Sequence, residues 1–323
     1  MSRSNATRTL QPATRAVEPT LDALRNPLLR YLLATRPAFL VVSAGACLIG
    51  LATAGLRGPI DALSATATLV FALLAHAAIN LLNDYCDDLN GADRLNEERV
   101  FPFTGGSRFI QNGVLSAPQV LRFAAVLAAL VIAGGLWLTG RSGGGLIAIG
   151  AAGLLVGWAY SAPPLSLNGR GMGELCVALG FTIVVVGADY VQRGAFHWLP
   201  VAAAASYALL VTNVLYINQF PDRRADEAAG KRHWVVILGA HRARWGYVLI
   251  GAAAYLWLAL AVMAGLLPAP TLIALASAAL SFAASRQLFR HAEQPARLVA
   301  PIKLTILAAV SHGVLLATGL LLA

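Results

Sequence analysis

Long runs rich in Ala, Leu and Val, with no sustained alternation of polar and apolar positions, set the character of this chain. Nine runs are long enough to cross a hydrocarbon core of about 30 Å at 1.5 Å per residue. They lie at approximately 38 to 56, 62 to 82, 120 to 139, 144 to 160, 174 to 191, 198 to 218, 245 to 267, 270 to 289 and 299 to 322. The missing alternation argues against a transmembrane barrel and predicts spanning helices. The fourth and fifth runs are the shortest, and Ser161-Ala162-Pro163-Pro164 must break any helix between them. Upstream, residues 21 to 33 place Leu21, Leu24, Leu28, Leu29, Leu32 and Leu33 on one helical face. That pattern suits a segment lying on the membrane surface, or an early start of the first span. Residues 1 to 20 are polar and Arg-rich and are expected to form a disordered tail, leaving 21 to 323 as one intramembrane domain. The tail lacks the apolar stretch of a cleavable signal peptide; a basic leader with Ser and Thr also suits a mitochondrial transit peptide.

Composition fixes the class. The 323 residues are 58% hydrophobic and 12% charged, against about a quarter charged in soluble domains. The expected fold is all-α: a polytopic membrane bundle of nine transmembrane helices around a central lipid-substrate cavity. With the N-terminus cytoplasmic, all of the 24 Lys and Arg residues except Arg57, Arg141 and Arg193 fall on the cytoplasmic side. The bacterial cytoplasmic (inner) membrane, with the loops of the acidic windows facing the cytoplasm, is the expected location. The net charge of +9 is then mostly topology, plus some affinity for anionic lipid or an anionic substrate, and does not point to nucleic acid. Cys47, Cys86 and Cys176 form no CxxC pair and are assigned no metal or disulfide role.

Two short windows, 83 to 98 and 222 to 227, hold nine of the 15 acidic residues, and each follows directly on an apolar run. Carboxylates at the end of a membrane helix are costly to keep without a function. If the second run continues as a helix, Asn80, Asp84, Asp87 and Asp88 fall on one face; in the second window Asp222 and Asp226 are one turn apart, with Asn218 a turn earlier. Carboxylates crowded in this way repel one another unless a counter-ion is present. Mg²⁺ is suited to that place, because it accepts a few carboxylates and completes its shell with water and phosphate oxygens. Each window is trailed by Gly with a cation, Gly105-Gly106-Ser107-Arg108 and Gly230-Lys231-Arg232, as an anion site requires. Solvated helix ends are the bland alternative for a single DxxxD, and are a poorer account of two matching windows. The pair therefore predicts two halves of one divalent-metal and diphosphate site.

Asn83-Asp84-Tyr-Cys-Asp87 with Gly91 and Asp93, and Asn218-Gln-Phe-Pro-Asp222-Arg-Arg-Ala-Asp226 leading into Gly230-Lys231-Arg232, resemble the two aspartate motifs of the UbiA-type intramembrane prenyltransferases. The likeness extends to the nine-helix count, to Arg36-Pro37 entering the first span, and to Tyr160-Ser-Ala-Pro-Pro-Leu with Gly171-Met-Gly173-Glu174. It implies transfer of a polyprenyl group from polyprenyl diphosphate to an aromatic acceptor, with Mg²⁺ between the motifs. Asp84, Asp87, Asp88, Asp222 and Asp226 are then the metal candidates, and Asp84, Asp87, Asp222 and Asp226 the catalytic ones. Arg36, Asn80, Asn83, Arg108, Asn218, Lys231 and Arg232 are the diphosphate candidates, and Tyr160 an acceptor-side residue or simply an interfacial anchor. His76 and His233 could handle protons, although a lone His more often serves packing. Within the family, Asp87, Gly91 and Asp93 with the segment from Gly105 to Gly113 are most like 1,4-dihydroxy-2-naphthoate polyprenyltransferases of menaquinone synthesis. His233, where those enzymes usually have Thr, and the position of Arg108 depart from that pattern, so 4-hydroxybenzoate or another quinone precursor is the alternative acceptor.

Other classes predict different features. An ion-coupled secondary transporter would place its polar residues near the bilayer midplane within inverted repeats, whereas these windows lie at helix ends with long Gly/Arg loops. A phosphatidyltransferase would share Mg²⁺ and carboxylates, but the chain has no DGxxAR-type segment.

Overall fold

A computed structural model describes residues 17–323 and is all-helical across them, with no strand among the described residues. Asn26 caps a short helix α1 (Pro27–Ala34) by accepting from the Leu28 amide at 2.9 Å, and Leu28 and Leu32 are exposed on it. Arg36, with φ 57°, separates α1 from α2 (Pro37–Gly55), so the segment is not an early start of the first span, and it begins at Pro27 rather than residue 21. The spans continue as α3 (Ala62–Asn90), α5 (Ala117–Ser142), α6 (Gly145–Ser161), α7 (Gly173–Arg193), α8 (Trp198–Ala228), α9 (Trp234–Met263), a segment from Ala269 to His291 and α11 (Val299–Leu321). A single turn, α4 (Ala92–Leu95), follows α3. Eight of these helices are long and apolar enough to cross a membrane, and the 17-residue α6 is the shorter ninth.

Helix ends depart from the apolar runs for identifiable reasons. The seventh span begins at Trp234 instead of 245, with its first turn set off by Gly239 at φ 68°. The eighth opens as a 3-10 helix over Ala269–Ser277 before α10 (Ala278–His291). Pro221 does not end α8: the helix runs through it to Ala228. The carboxylate windows are thus the last turns of two long helices. At 1.5 Å per residue the 29 residues of α3 measure about 43 Å, well beyond a core of about 30 Å.

Small residues let the helices approach closely, the usual mode of packing in lipid. Tyr207 of α8 is fully buried, donates to the Val42 carbonyl at 2.6 Å, and lies where a Cβ on Gly45 of α2 or Gly313 of α11 would strike its ring. Phe71 of α3 fits likewise against Gly134 of α5. Arg57, Arg141 and Arg193 follow or close α2, α5 and α7, at one end of the bundle: Arg193 donates to the Gly58 and Pro59 carbonyls and Arg141 pairs with Asp61 at 3.1 Å. The acidic windows lie at the other end.

Candidate active site

The two windows meet. Gly91, the αL cap of α3 at φ 82°, turns the chain into α4 and the loop to Ser116, which lies across the end of α8. Asn96 of this loop donates to Asp222 Oδ1 at 2.5 Å, and the Gly105 amide to Asp222 Oδ2 at 3.4 Å. From the segment after α8, Lys231 places its ammonium 2.8 Å from Asp87 and 3.0 Å from Asp226. His233 completes this cluster at 3.1 Å from the other Asp226 oxygen. Burial alone pulls the Lys231 ammonium down, but the Asp87 and Asp226 carboxylates outweigh it and leave it raised, so Lys231 is firmly charged.

The carboxylates of the first window point in two directions. Asp87 accepts from Asn83 at 3.1 Å and Asn90 at 3.2 Å and faces Lys231. Asp84, only 2% exposed, accepts from the Ser107 amide at 3.1 Å, so it faces the glycine loop. Asp88, one turn beyond Asp84, is bonded to Arg94 at 3.1 Å and Gln111 at 3.3 Å and does not join the Lys231 cluster. Around the helix 87 and 88 flank 84 about 100° apart, and the covering loop takes the side of 84 and 88 while Lys231, after α8, takes that of 87.

The remaining candidates divide in the same way. Asn80 donates to the Thr35 carbonyl at 3.0 Å and Asn83 also to Ser161 at 3.1 Å, tying α3 to the ends of α1 and α6. Arg36 donates to the Phe103 carbonyl at 2.8 Å, stacks on Phe39 and lies within electrostatic reach of Asp84. Arg108 is buried at φ 67°, donates to the Asp93 carbonyl and stands 3.8 Å from Glu18; burial pulls its guanidinium below the usual value. Arg232 is exposed and its side chain makes no ion pair among the described residues; its amide donates to the Gly169 carbonyl at 2.7 Å. Tyr160, in the last turn of α6, is within electrostatic reach of Asp87, Lys231, Glu174 and Asp226. His76, two turns before Asp84 on α3, bonds Ser43 at 2.8 Å.

Several contributors are not among the candidate ligands. Glu18, just beyond the undescribed residues 1–16 where most of the expected tail lies, is bonded to Arg99 at 2.7 Å and Asn112 at 3.2 Å. Asp93 is buried beside Gly106, and burial, with the charges of Asp87 and Asp84, raises its carboxyl well above the ordinary value. Asn96, inside the first window, and Glu174, in the Gly171-Met-Gly173-Glu174 segment of the likeness, also belong to the site, although neither is assigned a role from sequence.

Asp84 Oδ1, Asp93 Oδ2, Asn96 Oδ1 and Asn218 Oδ1 are buried without a hydrogen-bond partner among the described residues. Unpaired oxygen acceptors converging from α3, its loop and α8 fit a hard divalent cation. No group of three His, Cys, Asp or Glu among the described residues could hold an ion. Mg²⁺ needs no such cage, since one or two carboxylates with water and phosphate oxygens complete its shell.

The structure is thus a polytopic membrane bundle with carboxylates of two long helices gathered around Lys231 at one end. The sequence model of the UbiA prenyltransferase family matches residues 43–307, and the chain belongs to that family; it is a prenyltransferase. It is 29% identical over 221 residues to a 1,4-dihydroxy-2-naphthoate octaprenyltransferase of Escherichia coli, covering 66% of this chain and 70% of that one. A 2-carboxy-1,4-naphthoquinone phytyltransferase of Synechocystis is 27% identical, over 82% of this chain and 84% of its own. In fold, the chain resembles a UbiA homolog from Archaeoglobus fulgidus bound to DMAPP and Mg²⁺, with a TM-score of 0.62 at 16% identity, over 90% of this chain and 99% of that one.

Proposed function

We propose that this protein transfers a polyprenyl group from polyprenyl diphosphate to 1,4-dihydroxy-2-naphthoate, a step of menaquinone synthesis, in a Mg²⁺-dependent reaction at the cytoplasmic face of a bacterial inner membrane. The observation that carries the reading is Lys231, which joins Asp87 of the first window to Asp226 of the second. The names of the naphthoate-modifying relatives support the acceptor class, and the Lys/Arg asymmetry supports the orientation.

Cleavage of the allylic C–O bond leaves its electron pair, and the growing negative charge, on the departing diphosphate. Lys231 and Arg36 supply the positive charge for it, held by Asp87, Asp226 and the Phe103 carbonyl before the reaction. Asp84, Asp87, Asp222 and Asp226 would hold Mg²⁺, whose charge offsets that of the leaving group when bound. Asn80, Asn83 and Asn218 orient the diphosphate end from within α3 and α8. The bundle keeps water from the allylic cation, and an electron-rich ring carbon of the acceptor attacks it. Loss of a ring substituent as a cation or as CO₂ restores aromaticity.

The test incubates membranes holding the protein with labelled polyprenyl diphosphate, Mg²⁺ and a panel of naphthoate and benzoate acceptors. Prenylated naphthoate is the expected product, reduced about 10²- to 10³-fold in Asp84→Asn and Asp222→Asn. Prenylated 4-hydroxybenzoate alone would move the acceptor assignment, and no prenylated product would end the reading.

A further inference from the structure

Glu174 lies in the first turn of α7. One of its oxygens accepts from Gln219 of α8 at 2.9 Å, next to Asn218 in the second window. The other, Oε2, is buried and has no hydrogen-bond partner among the described residues, and neither has Gln219 Oε1. Two buried acceptors side by side without a donor are costly to keep. What they lack is a group that donates hydrogen bonds.

The surroundings limit what that group can be. Gly173, the residue before Glu174, packs so that a Cβ there would lie 3.5 Å from the Tyr160 ring and 3.6 Å from Leu215. An aromatic ring and an apolar side chain thus border the residue next to Glu174, and Tyr160 is itself within electrostatic reach of the Glu174 carboxylate. A polyprenyl tail offers only C–H groups and cannot satisfy it, and a diphosphate would be repelled by it. An aromatic ring bearing a hydroxyl meets both demands, stacking near Tyr160 while the O–H donates to Glu174.

We infer that Glu174 is a catalytic residue on the acceptor side: its free oxygen binds the ring hydroxyl of the aromatic acceptor and takes the hydroxyl proton as the ring attacks. The inference rests on the prenyl-transfer reading above. As the O–H bond breaks, its electron pair becomes the second bond of a ring C=O, and a ring π pair forms the new C–C bond. The allylic C–O pair leaves with diphosphate. The dienone then loses the displaced ring substituent and the oxygen regains a proton from Glu174, so the carboxylate ends as it began. Titratable groups within electrostatic reach of Glu174 are Tyr160 on α6, Cys176 on α7 and Tyr216 on α8, all ordinarily neutral at pH 7.

The experiment compares wild type, Glu174→Gln and Glu174→Asp in detergent or nanodiscs, varying each substrate separately. Glu174→Gln is expected to lower kcat/KM for the acceptor about 10²- to 10⁴-fold, to leave KM for the prenyl diphosphate unchanged, and to remove the acidic limb of the kcat profile. Glu174→Asp keeps that limb at a reduced kcat. In binding measurements without prenyl diphosphate, a hydroxylated acceptor should bind Glu174→Gln more weakly, while its methyl ether should not distinguish the two proteins. Acceptor kcat/KM within about threefold of wild type in Glu174→Gln, with the acidic limb intact, overturns the inference while prenyl transfer by wild type stands. If Glu174→Gln does not fold, an unchanged acceptor kcat/KM in Glu174→Asp overturns it equally. Failure of wild type itself to prenylate any acceptor is the separate result that ends the underlying reading.

Discussion

Lys231 and Asp87, from opposite halves of the chain, meet at 2.8 Å with side chains only 12% and 13% exposed. The same ammonium reaches Asp226, so a single cation neutralises carboxylates from both windows. Removing one member of such a buried pair costs more than the pair contributes, because the remaining charge is left without a partner.

Lys231→Met should therefore lower stability by about 3–5 kcal/mol, read as a fall in thermal unfolding midpoint. Added Mg²⁺ should restore part of that loss by supplying charge between Asp87 and Asp226, and Lys231→Arg should lose less. An equal midpoint for wild type and Lys231→Met would remove the bridge from the account.

Glu18 fastens the start of the described chain to the site loop. Burial pushes its carboxyl up, but the bonds from Arg99 and Asn112 and the charges of Arg99 and Arg108 outweigh that and hold it below its ordinary value of 4.5. A depressed folded-state value stabilises the contact above pH 4.5, and the contribution disappears as pH falls through the folded value. Protease cleavage between residues 17 and 25 should therefore accelerate below that pH in wild type. Glu18→Gln should be cleaved faster at neutral pH and respond much less to acid.

The spans, the break at Pro163-Pro164 and the pairing of the windows were legible because membrane length and clustered charge leave a plain mark on sequence. Helix extents were less so: the apolar runs stop at 82 and 218, yet both helices continue through the carboxylates, since the facing loop and Lys231 satisfy them. A helical wheel put Asp88 with Asp87, but the loop from 91 to 116 takes one side of α3, and no wheel contains that loop. Glu18 reaches the site through tertiary contacts that no local pattern records, and although Asn96 and Glu174 lie in segments the sequence singled out, their partners Asp222 and Gln219 are distant in sequence.

Gly106 and Gly113 both sit at positive φ, +71° and +67°, so alanine strains the backbone at either by about 1–2 kcal/mol. Only at Gly106 would the Cβ also strike the Asp93 carboxylate; at Gly113 nothing lies within 4 Å. Gly106→Ala should thus lose markedly more prenyl transfer than Gly113→Ala at equal expression. Matching losses would mean that the Gly106–Asp93 approach is unimportant to the site.

The two directions taken by the first-window carboxylates separate residues that look equivalent in sequence. Asp88, its side chain 5% exposed, gives its oxygens to Gln111 and to Arg94, whose side chain is 68% exposed, so neutralising it leaves a solvated cation and no unpaired charge in the interior. Asp84 is buried with one oxygen on the Ser107 amide and the other unpartnered, and Asp87 faces Lys231. Asp88→Asn should keep prenyl transfer within about tenfold of wild type, whereas Asp84→Asn and Asp87→Asn should each lose about 10²- to 10³-fold. Initial rates at saturating prenyl diphosphate, with folding checked by unfolding midpoint, decide the matter. An Asp88→Asn loss as deep as that of Asp87→Asn would place Asp88 among the metal ligands and require its side chain to turn away from Arg94 when substrate binds.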